Sequence, residues 1–270
     1  MHGNVTLAFA LTVFAGLSTG IGSAIALFAK STSRRFLSIS LGFSAGVMIY
    51  VSLVEIFPEA NSELVHAWGE NTGTWINVFA FLGGMLISLL IDRFVPEVEN
   101  PHHMRTLRKD EDGVIQQPDE AKLMRMGMFA ALAITIHNFP EGIASFTAAL
   151  ADPALGVTIA IAIAIHNIPE GVAVSVPIYY ATGNRKKAFW LSFASGLAEP
   201  LGAVVGYLIL RPFLSPGVFG IVFASTAGIM VFISLDELVP SAKEYGTGHD
   251  SIYGLIAGMG VMALSLLLMM

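Results

Sequence analysis

The sequence predicts an all-α polytopic membrane protein, a bundle of eight transmembrane helices in a single domain over residues 1–270. Its composition is the first observation behind this prediction, since 54% of the residues are hydrophobic, only 13% are charged and the mean hydropathy is +0.71. A soluble domain carries about 25% charged residues, so this chain lacks the polar surface to cover itself. The apolar residues also form blocks of about 18 residues or more, which cross a hydrocarbon layer of roughly 30 Å as helices.

Eight such blocks follow one another along the chain, and their ends define the predicted spans. The spans are 5–29, 36–58, 75–95, 126–150, 154–180, 188–211, 217–240 and 251–269. The turn ADPA at 151–154 separates the fourth span from the fifth, and the predicted loop 96–125 is the only sizeable polar segment. The first block has no positively charged residue before it and is too long for a signal peptide, so we interpret it as a retained span.

Lysine and arginine predict the orientation, because cytoplasmic loops are enriched in these residues. The loops after spans one, three, five and seven hold 13 of the 14 Lys and Arg residues, with Arg93 counted in its loop, and Arg211 is the remaining one. The odd-numbered loops are therefore predicted to be cytoplasmic, and both termini extracytoplasmic. The net charge of −6 says little about partners, because the charges are confined to loops, and we expect no nucleic acid among the partners.

Similarity between spans predicts an inverted repeat. Span two reads AGVMIYVSLVEIFPEA at 45–60 and span seven reads AGIMVFISLDELVPSA at 227–242, a fixed offset of 182. LTVFAGLSTGIG at 11–22 matches LSFASGLAEPLG at 191–202 more weakly, and spans three and eight share a Gly-Met pair. The members of each pair run in opposite directions through the bilayer, which predicts a 3+2+3 inverted-repeat bundle of the kind that secondary transporters use.

Spans four and five carry the same polar motif inside apolar runs, ITIHNFPEG at 134–142 and IAIHNIPEG at 163–171. On a helix, the histidine and the glutamate lie four residues apart on one face, and the asparagine borders that face. The proline leaves the carbonyl four residues before it without a helical donor, which is tolerated where the helix lines a polar cavity. Two antiparallel helices joined by a tight turn are predicted to bring both motifs together at mid-membrane.

The predicted metal ligands are the polar residues of both motifs and one carboxylate of span six: His137, Asn138, Glu141, His166, Asn167, Glu170 and Glu199. Ionisable groups at mid-membrane cost about 2.5–3.5 kcal/mol each and usually mark ion or substrate pathways. The chain has no cysteine, and the remaining imidazole, amide and carboxylate groups suit Zn²⁺, Fe²⁺, Mn²⁺ and Co²⁺. Three carboxylates give a site charge near −1 with one dication and near +1 with two, so the sequence leaves the number of ions open.

Spans two and seven contribute predicted residues of the pathway to and from this site. Met48, Ser52 and Glu55 share one stripe of span two, toward the outer end. Asp236 and Glu237 lie toward the cytoplasmic end of span seven. The predicted outer loop adds residues that either attract cations or form a solvated surface: Glu59, Glu63 and His66.

HNFPEG and HNIPEG on consecutive spans, followed by AEP in the next, resemble the ZIP (Zrt/Irt-like) family of divalent-metal transporters, in particular its bacterial zinc-uptake branch. The resemblance covers nearly the whole chain. It implies a binuclear transport site formed by the seven residues named above and touched by Met48. It also implies uptake through the bacterial inner membrane, broad metal selectivity and a homodimer embedded in lipid. This chain departs from the family where the long loop lacks an extended histidine tract, and where Glu55 stands in place of a small polar residue.

These observations predict a transporter rather than an enzyme, one that takes up zinc and also iron, manganese, cobalt and cadmium without a prosthetic group. The alternative from another class is a membrane-embedded metal hydrolase with the same ligands, which would need an open coordination position and a general base. No HExxH motif is present in the sequence. A channel is a third alternative, which differs in kinetics because the flux through a carrier saturates.

Overall fold

A computed structural model of the chain describes residues 4–28, 34–94, 120–213 and 215–269. Within these ranges every regular element is a helix, which confirms the all-α prediction. Seven helices of this described part are long and apolar enough to cross a membrane. Helix Glu120–Ala151, with 32 residues, is not among the seven.

The eleven α-helices of the described ranges follow the order of the predicted spans. They are α1 Val5–Phe28, α2 Arg34–Val51, α3 Phe57–Trp68, α4 Glu70–Phe94, α5 Glu120–Ala151, α6 Pro153–Thr182, α7 Arg185–Gly196, α8 Ala198–Leu210, α9 Pro216–Ile233, α10 Val239–Tyr245 and α11 Asp250–Met269. Short π-helical segments join α2 to α3 and α9 to α10, and a 3-10 turn follows α8.

The second span continues further than the sequence predicted. Its helix does not end at Pro58 but runs on as α3 to Trp68 and stops at Gly69, whose φ of 83° requires glycine. Proline is tolerated in the first turn of a helix, and Pro58 stands in the first turn of α3. The prediction of an outer loop here was therefore wrong, and Glu59 and Glu63 lie on a helix.

Three further boundaries differ from the predictions. The sixth span is interrupted at Leu197, which separates α7 from α8, and the seventh continues through α10 to Tyr245. Residues 120–125 of the predicted loop belong to α5, so this helix begins earlier than expected. The remainder of that loop up to residue 119, with His102 and His103, lies outside the described residues.

The two π-helical segments, Ser52–Ile56 and Ser234–Leu238, are related by the same offset that relates spans two and seven. Phe57, which follows the first segment, donates its N–H to the carbonyl of Ser52. Val239, which follows the second segment, donates its N–H to the carbonyl of Ser234. A proline, Pro58 or Pro240, comes next and has no N–H to donate. The helix accommodates each proline by one wider turn, and such turns often occur near functional sites.

Glycines set the closest approaches between helices at the periphery of the bundle. A Cβ added to Gly46 of α2 would collide with the Leu255 carbonyl of α11, and one added to Gly228 of α9 would collide with the Phe81 carbonyl of α4. Small residues allow this backbone contact in membrane helices. Of the seven candidate spans in the described ranges, α6 is the most buried and α4 and α11 are the least, so the bundle places α6 at its centre.

Asp152 caps the N-terminus of α6 at the tight turn after α5. Its carboxylate accepts hydrogen bonds from the N–H groups of Ala154 at 2.7 Å and Leu155 at 3.4 Å. Asp152→Ala is expected to lower the free energy of unfolding by about 1 kcal/mol, since it removes the acceptor for these N–H groups. Asp152→Asn keeps an acceptor and serves as the control. Thermal unfolding of the purified protein in detergent measures the difference, and equal stability of both variants would contradict the capping role.

Candidate functional site

The described polar side chains of both repeated motifs are buried in the centre of the bundle. Asn138 and Glu141 on α5, and His166 and Asn167 on α6, have no exposed surface, and Glu170 is 1% exposed. A buried charge or amide is costly unless it finds partners or a ligand. The antiparallel packing of α5 on α6 thus brings together five of the residues that the sequence predicted as ligands.

A direct contact joins the two motifs across the helix pair. His166 Nε2 lies 3.2 Å from Glu141 Oε1 and 3.4 Å from Oε2. The imidazole of the second motif therefore faces the carboxylate of the first. Both groups can bind a divalent cation when the histidine is neutral and the glutamate is ionised.

Each asparagine donates its amide N–H to a carbonyl of a neighbouring helix. Asn138 Nδ2 donates to the Ser195 carbonyl of α7 at 3.2 Å, and Asn167 Nδ2 donates to the Ala15 carbonyl of α1 at 3.0 Å. Asn167 Nδ2 also donates to the carboxylate of Glu199. The side-chain oxygens of both asparagines accept no hydrogen bond from any described residue. The amides are held by their nitrogens, and both oxygens are left without a hydrogen-bond donor from the described residues.

Glu199 joins the site through a break in the sixth span. It lies in the first turn of α8, just after the interruption at Leu197, and it has no exposed surface. Pro200 follows and cannot donate to the Gly196 carbonyl, which favours the break at this point. Glu199 Oε2 accepts no hydrogen bond within the described part of the chain. The third predicted carboxylate therefore borders the two motifs with one oxygen available to a ligand.

Helix α2 contacts the second motif at its backbone. Ser44 Oγ donates to the His166 carbonyl at 3.3 Å and lies 4.0 Å from the sulfur of Met48. Met48 and Ser52, one and two turns further along, are fully buried. Met48 and Ser52, two of the predicted pathway residues, therefore lie on the side of the second span that contacts α6. Ser44 was not among the residues predicted from the sequence, because one small serine in an apolar helix gives no signal of its own.

The remaining predicted pathway residues lie in the two π-helical segments. Glu55, Asp236 and Glu237 are half-buried, in the two π-helical segments. Glu59 lies within electrostatic reach of Glu55, Glu63 and Asp152. The part of α3 that carries Glu59 thus lies on the same side of the bundle as the turn between α5 and α6. Glu55 therefore belongs to a group of neighbouring acidic residues with Glu59.

The side chain of one predicted ligand, His137, is not among the described side chains. The backbone of His137 belongs to α5, one turn before Glu141, but its side chain lies outside the described residues. Among the described residues no group of three or more His, Asp or Glu side chains has the geometry of a metal-binding cluster. The centre is nevertheless acidic, since the buried polar side chains of the described ranges include Glu141, Glu170 and Glu199 but no lysine or arginine.

Membrane-spanning helices with carboxylate, imidazole and amide groups buried at their centre define a multi-pass membrane transport protein. The ZIP Zinc transporter family matches residues 92–266. The zinc transporters ZupT of Nitratidesulfovibrio vulgaris and Lysinibacillus sphaericus are 62% and 61% identical to this chain, over 98% and 100% of both sequences. The ZupT of Streptococcus mutans is 56% identical over 99% of both.

The chain therefore belongs to the ZIP zinc transporter family. It is a multi-pass membrane transporter and not an enzyme, and in bacteria such a protein resides in the inner membrane. The relatives are named as transporters, and the alternative of a membrane-embedded hydrolase has no support among them.

Proposed function

We propose that this chain carries zinc ions into the cytoplasm through the centre formed by its two HNxPEG motifs. The observation that supports this proposal best is the burial of both motifs against each other, with His166 Nε2 3.2 Å from Glu141 Oε1 at the point where they meet. An apolar bundle has no structural need for this pair. A cation that binds there compensates the cost of burying the charges.

The proposed ligands are the seven residues that the sequence singled out: His137, Asn138, Glu141, His166, Asn167, Glu170 and Glu199. The available amide oxygens of Asn138 and Asn167, together with Glu199 Oε2, support their assignment. These nitrogen and oxygen donors also suit Fe²⁺, Mn²⁺ and Co²⁺, and Cd²⁺ belongs to the same proposal. The charge of three carboxylates accommodates one or two dications.

The proposed architecture is a 3+2+3 inverted repeat with both termini outside. Two pairs of features support it, and the offset of 182 residues between spans two and seven relates the members of each pair. The close approach at Gly46 corresponds to that at Gly228, and the first π-helical segment corresponds to the second. The arrangement of the asparagines supports it too, since Asn138 and Asn167 hold the same place in the two motifs and both donate to a carbonyl of a neighbouring helix. In such repeats the substrate binds near the midplane between the two halves.

The proposed direction is inward, and the membrane potential favours it. A dication gains about 4.6 kcal/mol when it crosses a potential of 100 mV that is negative inside, from about 2.3 kcal/mol per charge. The proposed pathway begins at Glu55 and passes Ser52 and Met48 to the centre, and it leaves past Asp236 and Glu237. The acidic outer end around Glu55 supports this route, because it concentrates cations at the membrane surface.

Uptake of radioactive zinc into proteoliposomes tests the proposed function. The purified full chain is expected to give saturable, time-dependent uptake that a negative interior potential accelerates. Empty liposomes provide the control. Uptake no greater than that of empty liposomes would contradict the proposal, and flux that stays linear with zinc concentration would favour a channel. Competition by Fe²⁺, Mn²⁺, Co²⁺ and Cd²⁺ in the same assay ranks the other proposed substrates.

A homodimer in the lipid bilayer is the last part of the proposal. The outer helices α4 and α11 expose large apolar side chains, among them Trp75, Phe79 and Leu268. Lipid or a second copy of the chain covers such a surface in a membrane. Crosslinking in native membranes is expected to trap a species of twice the molecular mass, and its absence would indicate a monomer.

A further inference from the structure

Thr19 on α1 occupies a place equivalent to that of Glu199 on α8. When LTVFAGLSTGIG at 11–22 is aligned with LSFASGLAEPLG at 191–202, Thr19 pairs with Glu199 at an offset of 180. Gly16 pairs with Gly196 in the same alignment, and these two glycines face each other. A Cβ added to either would meet the carbonyl oxygen of the other, at 2.6 Å or 2.5 Å.

The packing of α1 on α6 repeats the packing of α8 on α5. A Cβ added to Gly142 of the first motif would collide with the Glu199 carbonyl, and one added to Gly171 of the second motif would collide with the Thr19 carbonyl. Gly142 and Gly171 are equivalent positions, since each is the last residue of its HNxPEG motif. The backbone of Thr19 therefore approaches the second motif in the way that the backbone of Glu199 approaches the first.

The backbone carbonyl to which the Thr19 hydroxyl would normally donate a hydrogen bond is already occupied by other donors. A threonine inside a membrane helix donates to the carbonyl four residues before it, as Thr12 does to Ala8 at 3.1 Å. For Thr19 that carbonyl belongs to Ala15, which already accepts from Asn167 Nδ2 at 3.0 Å and from Ser18 Oγ at 2.6 Å.

Thr19 is fully buried, and its Oγ1 makes no hydrogen bond with any described residue. The side chain lies against Gly196, so close that a Cβ there would meet Thr19 Oγ1 at 2.8 Å. Gly196 precedes Glu199 by three residues, across the break at Leu197. A buried hydroxyl without a partner carries a cost unless water or a ligand satisfies it. Here it lies beside the acidic centre that is proposed to hold zinc.

We infer that Thr19 is a further binding residue of the transport site, whose hydroxyl supplies a neutral oxygen to the coordination or hydration shell of the transported dication. This inference rests on the proposed function. Glu199 supplies a carboxylate from one half of the repeat, and Thr19 supplies an uncharged oxygen from the other half. The centre thereby has three carboxylates instead of four. With the smaller negative charge it binds a dication weakly enough to release it.

Thr19→Val removes the hydroxyl and keeps the shape of the side chain, so it tests this role. In proteoliposomes we expect the KM for zinc to rise about tenfold, which corresponds to about 1.4 kcal/mol, while the maximal rate changes little. Thr19→Ser restores the hydroxyl and is expected to restore the KM. Thr12→Val makes the same change two turns away on α1, at a hydroxyl that already has partners, and is expected to leave the KM unchanged.

Calorimetric titration of the purified variants with zinc separates this inference from the proposed function. Weaker zinc binding by Thr19→Val, with normal binding by Thr19→Ser and Thr12→Val, supports the role of Thr19 even if the wild-type protein transports no zinc. A folded Thr19→Val variant with the affinity of the wild-type protein would overturn it. If Thr19→Val does not fold, an unchanged affinity in folded Thr19→Ala would overturn it equally.

Discussion

Replacement of Glu141 by Gln is expected to reduce the rate of zinc uptake more than about a hundredfold while the protein stays folded. The carboxylate of Glu141 faces His166 at 3.2 Å in a fully buried position. Groups that only orient a metal ligand change affinity or activity by about 10–100-fold, so the loss of a ligand has a larger effect. Glutamine keeps the size of the side chain and removes the charge.

The initial rate of uptake into proteoliposomes measures this effect, and gel filtration confirms that the variant is folded. Glu70→Gln is the matched control, because Glu70 is exposed in the first turn of α4 and belongs to no proposed part of the pathway. Glu170→Gln is expected to behave like Glu141→Gln. If both motif variants retained the wild-type rate, zinc would not pass through this centre.

Gly142→Ala is expected to give the second large effect, the loss of folded and active protein. The added Cβ would collide with the backbone carbonyl of Glu199, which cannot move without shifting α8 as a whole. Overpacking of this kind costs about 1–3 kcal/mol in a well-packed core, and here it also displaces the proposed ligand Glu199. Gly142 therefore fixes both the distance between α5 and α8 and the position of Glu199.

Gly83→Ala on α4 is the matched control, because a Cβ at Gly83 meets nothing within 4 Å. The protein is expected to tolerate alanine at this position, since replacing glycine by alanine stabilises an isolated helix by up to about 1 kcal/mol. Thermal unfolding in detergent and zinc uptake compare the two variants. Equal stability and activity of Gly142→Ala and Gly83→Ala would show that the close approach of α8 to α5 is unnecessary.

The sequence predicted the composition of the centre because its signal is both local and repeated. Apolar helices rarely contain histidine, asparagine, proline and glutamate together. These residues recur in the same order on the next span after a tight turn, so two antiparallel helices place the two sets side by side. The burial of Asn138, Glu141, His166, Asn167 and Glu170 agrees with that prediction. The helical class follows just as directly from apolar blocks long enough to span a bilayer.

Other features depend on backbone detail that composition does not encode. Pro58 suggested the end of a span, yet a proline starts a helix as readily as it ends one, and α3 continues to Trp68. The break at Leu197 and the wider π-helical turns arise from prolines whose effect depends on the neighbouring helices. The roles of Ser44 and Thr19 depend on which carbonyls are already occupied, and only the packed structure reveals that.

The position of zinc itself tests the central proposal most directly. Anomalous X-ray scattering at the zinc absorption edge, recorded from zinc-loaded crystals of the full chain, locates each ion without reference to activity. We expect one or two peaks between α5 and α6, bounded by Glu141, His166 and Glu199, and their number gives the ion count. Peaks confined to the acidic outer end around Glu59, with none at the two motifs, would contradict the proposed transport site.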